Sequence, residues 1–167
     1  MTDITRIYIA HPLRGLDQED GSNLVDNRAE VAEICRKIAD MELEQTQARL
    51  LVPVSPIHCF SMLDDQDQEI VISFCLSLID VCDVVWVFGR WWESEGVMRE
   101  MRYAIKQGLR IRLYHDLEPS GTAFEEIGDD RELSAFLTDF IYKASSAAAM
   151  NGEKCTEDKL GGWVPEW

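Results

Sequence analysis

The sequence predicts an α/β protein, a doubly wound parallel sheet with helices between its strands. Three observations lead there. Short β-branched runs at residues 6–10, 50–54, 84–88 and 109–114 alternate with longer stretches of helical spacing. Proline and glycine stand where those runs stop, as in His11-Pro12-Leu13-Arg14-Gly15 and at Gly89. The run Val84-Val85-Trp86-Val87-Phe88 is apolar at every position, as a central strand covered on both faces must be.

Taken in order, Arg6-Ile7-Tyr8-Ile9-Ala10 is a buried first strand, followed by a polar loop from Asp17 to Asn23. Val31, Ile34, Cys35, Ile38 and Met41 give the three-and-four spacing of an amphipathic helix from Asn27 to about Gln47. Residues 50–54 form the second strand, which Pro53 and Pro56 break into a loop. Asp64, Asp65 and Asp67 offer caps for a helix from about Gln66 to Val81. After the third strand, a helix from Gly96 to Gln107 is stopped by Gly108. The alternating run Leu109–Tyr114 reads as a strand nearer the sheet edge, and Asp129–Ala144 as a last helix. Residues 1–144 therefore form one α/β domain. The Ala/Ser/Gly-rich residues 145–152 read as a linker, and Gly161–Trp167 as an aromatic tail that docks or covers a neighbour's pocket.

The formal net charge of −15 on 167 residues excludes a general nucleic-acid binder, since phosphate contacts need clustered lysine and arginine. No apolar run is long enough to cross a bilayer, and Met1–Thr5 leads straight into a strand, so a cytoplasmic location without membrane partners is expected. The five cysteines form no CxxC pair, which suits reduced thiols and leaves no expected metal site.

The chemistry concentrates after the third strand. Ser94-x-Gly96 opens a helix whose free amides favour anionic or hydroxyl-rich groups, or it is simply a capping serine. Glu100 follows one turn later, either as a nucleophile able to attack an anomeric carbon or as a helix-surface residue. Asp80 and Asp83 precede the strand; either could protonate a departing base, or serve only in capping and turn bonds. His11, Pro12 and Arg14 follow the first strand and should share the sheet edge with Gly89. Arg14 could clamp a phosphate or remain a solvated loop charge. Tyr8 is either core or a ligand contact. Trp91 and Trp92 could stack a base or form a subunit interface.

Three segments in order resemble the nucleoside 2-deoxyribosyltransferase-like superfamily, which includes deoxynucleoside monophosphate N-glycosidases. Tyr8-Ile9-Ala10-His11-Pro12 is similar to its first-strand signature, Cys82–Gly89 to its third strand, and Ser94-x-Gly96-x-x-x-Glu100 with Ala104 to its catalytic helix. The resemblance spans about residues 5 to 115. It implies a flavodoxin-like three-layer sandwich, a homo-oligomer with sites completed by a neighbouring chain, and a nucleoside or nucleotide ligand. It also implies Glu100 as nucleophile, Tyr8 orienting it, and Ser94 and Gly96 contacting sugar or phosphate. No metal or organic cofactor is expected, because the charge developing on the sugar meets Glu100 directly.

One position departs from the pattern. Active members carry an aspartate before the third strand, acting toward the leaving base, where this chain has Cys75. Asp80 would have to substitute for it. The sequence therefore carries three readings: an enzyme acting on an N-glycosidic bond, a nucleotide-binding module of the same fold, and a structural oligomerisation domain built on the aromatic tail.

Overall fold

A computed structural model describes residues 3–13, 22–44, 49–63, 66–114 and 124–150, together with residues 117 and 119. Arg14, Cys155 and the aromatic tail lie outside the described residues. Among the described residues, five strands form one sheet: β1 (Asp3–Ala10), β2 (Arg49–Val54), β3 (Val84–Val87), β4 (Ile111–Tyr114) and β5 (Phe124–Ile127). Their order is β2-β1-β3-β4-β5. The first four are parallel, and β5 pairs antiparallel with β4. The sheet is therefore mixed at one edge rather than wholly parallel.

The helices are α1 (Ser22–Glu44), α2 (Pro56–Cys59), α3 (Gln68–Ile79), α4 (Glu95–Lys106) and α5 (Asp130–Met150). Strand alternation divides the core between the two faces. Ile7 and Ile9 of β1, with Trp86 of β3, pack against Val31, Ile34 and Ile38 of α1. The alternate residues Tyr8, Ala10, Val85 and Val87 face the other way, with Met101 of α4 and Leu133 of α5. The chain thus leaves β1 toward one face and β3 toward the other. A crevice opens between their carboxyl ends, where α/β sheets hold ligands.

Local signals set most of the boundaries. Asp67 caps α3 by accepting from the Glu69 amide at 2.8 Å. Gly108 takes φ +76, and the Gly108 and Leu109 amides bond to Ile105 and Ala104 carbonyls, closing α4 in a Schellman arrangement. Two expectations are revised. Residues 145–150, read as a linker, continue α5, because an alanine run favours helix as strongly as it resembles a spacer. In addition, β5 stands outside β4, so β4 lies one strand in from the edge.

Candidate active site

A cleft of ≈ 360 Å³ occupies the carboxyl end of the sheet. His11 and Leu13 reach it from the end of β1, Pro56 and Ile57 from α2, Cys75 from α3 and Glu100 from α4. Leu13, Ile57, Phe60 and Ile72 give it an apolar wall, and Ser94, Glu95 and Gly96 at the start of α4 also line it. Among the described residues lining the cleft there are two carboxylates, Glu95 and Glu100, and no lysine or arginine.

Ser94 ends an extended segment (φ −116, ψ 107), and its Oγ accepts from the Val97 amide at 3.3 Å. This cap fixes where α4 begins. From there Val97, Met98, Met101, Ala104 and Ile105 form the buried stripe, and Glu100 falls inside it. Glu100 is therefore no surface residue: it is only 5% exposed. Burial raises its carboxyl to about 7, while Tyr8 and Cys75 act in the opposite direction by favouring the carboxylate. Burial likewise drives the Tyr8 phenol well above its ordinary range, and the neighbouring Glu100 adds to the effect. The Cys75 thiol is pushed up to about 12, first by burial and then by Glu100. Both neighbours thus remain protonated around neutrality. Tyr8 and Cys75 stand beside Glu100, yet neither Tyr8 Oη nor Glu100 Oε2 completes a hydrogen bond of good geometry, so Glu100 brings open polar capacity to the cleft it lines.

His11 is buried and also lines the cleft, its Nδ1 2.9 Å from the Pro12 carbonyl. Its Nε2 lies 3.1 Å from Glu30 Oε2, an ion-pair distance without hydrogen-bond alignment. Gly89 turns the chain after β3 with φ +69, and a Cβ there would sit 2.8 Å from His11 Nε2. Pro12 is buried and does not line the cleft. Gly96 lines the cleft and also admits α3, since a Cβ would meet Ile72 Cδ1 at 3.1 Å.

Other expected site residues lie elsewhere. Asp83 precedes β3, at the amino end of the sheet, where its Oδ2 accepts from the Arg6 amide at 2.7 Å. Asp80 ends α3 and is exposed, accepting from Tyr103 Oη at 2.8 Å. Neither lines the cleft, because both sit at the far end of the helix-to-strand crossover from Glu100. Trp92 packs on Phe140 of α5 and edge-on against Trp91, so these rings join α5 to the loop rather than face a ligand. Glu95 was not singled out from the sequence; its place between the capping serine and Gly96 was the available signal.

No curated protein and no solved structure matches the chain. A family model does match residues 5–114, which run from β1 to the end of β4 and contain every residue named as lining the cleft. The chain therefore belongs to the family described as a domain of unknown function, DUF7768.

Proposed function

We propose that the protein cleaves or transfers the N-glycosidic bond of a nucleoside or nucleoside monophosphate, with Glu100 as the nucleophile. The observation that carries this reading is the buried Glu100 carboxyl, with an open oxygen, lining the cleft. A cleft of ≈ 360 Å³ falls in the size range of small-ligand sites. The strand order, read as flavodoxin-like, supports a ligand at the switch between β1 and β3. In this reading the base lies on the apolar wall and the sugar lies over Glu100. A carboxylate oxygen of Glu100 attacks the anomeric carbon as the base departs. Tyr8 and Cys75 favour the ionised form that attack requires. The reading also carries a homo-oligomeric assembly.

Incubation with a panel of deoxynucleosides and their monophosphates, followed by chromatography for free base, tests the proposal. Base release by the wild type and its loss in Glu100→Ala are expected. Base release undiminished in that variant would remove Glu100 from the mechanism.

Cys75 favours a second reading, a binding protein that holds such a ligand without turnover. A thiol held protonated up to about 12 is a poor proton donor to a leaving base. This reading predicts a rise in Tm with nucleoside or nucleotide and no product.

A further inference from the structure

The cleft holds a second carboxylate besides the nucleophile, and departure of a base requires a proton donor that Cys75 cannot readily supply. Asp80 is tied to Tyr103, and Asp83 stands at the other end of the sheet. Glu95 is the remaining carboxyl group among the described residues lining the cleft. It occupies the first turn of α4 and is exposed at the mouth of the cleft it lines. Five helical positions separate it from Glu100, a rise of about 7.5 Å along the axis and about 140° around it. The two carboxyl groups therefore reach the cleft from different sides, Glu100 from the buried side and Glu95 from the solvent side. Glu100 Oε2, buried and without a partner, independently marks this cleft as built for a ligand.

We propose that Glu95 is the general acid and base of the reaction, acting from the start of α4 on the base whose sugar Glu100 attacks. The inference rests on the glycosidic reading of the site. In the first half-reaction the Glu95 carboxyl gives its proton to a ring nitrogen of the base as the C1′–N bond breaks. The Glu100 carboxylate forms the new bond to C1′. In the second, the Glu95 carboxylate takes a proton from water as the water oxygen attacks C1′, and Glu100 leaves as carboxylate. The sum is nucleoside plus water giving free sugar and free base, with Glu95 protonated again.

The test compares two substrates whose leaving groups differ in their need for a proton. An ordinary deoxynucleoside needs one. A 7-methylated deoxyguanosine carries a cationic base that leaves as a neutral molecule without one. Glu95→Gln should lower kcat/KM on the ordinary nucleoside by about 10²-fold or more, the usual contribution of general acid catalysis. On the methylated substrate the variant should remain within a few-fold of the wild type in the step that releases base. Glu100→Gln should be inactive on both. Glu95→Gln losing the two substrates equally, or losing neither, overturns the role of Glu95 while the loss in Glu100→Gln still upholds the glycosidic reading. A wild type that releases base from neither substrate overturns both. Because Glu95 is exposed at a helix start, its replacement by glutamine leaves the fold intact, which circular dichroism of the variant checks.

Discussion

Glu100 shows how much one side chain's surroundings decide. Its carboxyl ionises near 7 in the folded protein against an ordinary 4.5, because burial penalises the charge more than Tyr8 and Cys75 relieve it. Between those two values the folded state holds more protons than the unfolded state, so stability falls as the pH rises through about 7. Each pH unit of displacement is worth about 1.4 kcal/mol, which makes the ionised carboxylate cost up to about 3 kcal/mol above neutrality. Glu100→Gln should therefore be more stable than the wild type at pH 8 and about equal to it at pH 4. Urea melts at the two pH values check this, and equal stability at pH 8 would contradict the burial argument. The burial of Glu100 was legible in principle. Val97, Met101 and Ala104 mark one helix face, and position 100 lies within it. The weaker signals were the aspartates, because proximity in sequence to a strand says nothing about which end of that strand a side chain occupies. Asp83 is only one residue from β3 yet stands at the wrong edge.

At the scale of elements, the contact between α3 and α4 governs the shape of the cleft. Gly96 allows Ile72 Cδ1 to approach, and on the exposed side Arg99 grips Glu69 with two bonds of 2.6 and 2.8 Å. Gly96→Ala should press the helices apart and cost about 1 kcal/mol, since the neighbour is a flexible methyl end rather than backbone. Adding Ile72→Val removes that methyl and should recover part of the loss. Thermal melts of the single and double variants decide it; a fully additive pair would show that the two positions do not touch. The elements best read from the sequence were those with local punctuation: α3 from its aspartate cap and α4 from its serine start and glycine stop. The strand β5 escaped notice because Phe124-Glu125-Glu126-Ile127 is short and half acidic. Its pairing depends on partners distant in sequence, with Glu126 bonded to Arg110 and Arg112 of the neighbouring segment. Such long-range complementarity leaves no periodic trace.

For the whole molecule, the division of the core between two faces followed from alternation and could be anticipated. The position of the cleft also follows, because the chain turns to opposite faces after β1 and β3. The net charge of −15 acts at this scale as well. Repulsion among surface carboxylates opposes compaction, and added salt screens it within about 10 Å at 0.1 M. The Tm should rise by a few degrees between dilute buffer and moderate sodium chloride. A fall measured by calorimetry would mean that exposed pairs such as Arg99–Glu69 and Arg112–Glu126 outweigh the overall repulsion.

The turn at Gly89 has a consequence for inheritance. The imidazole of His11 occupies the volume that any side chain at position 89 would need, and the backbone there already takes φ +69. Substitution at 89 is thus blocked twice, once by local conformation and once by a residue 78 positions away in the chain. Shrinking His11 lifts only the second obstacle. Drift in descendants of this chain must therefore be ordered: 89 can change only after 11 has become smaller, and even then only to a residue that accepts φ +69.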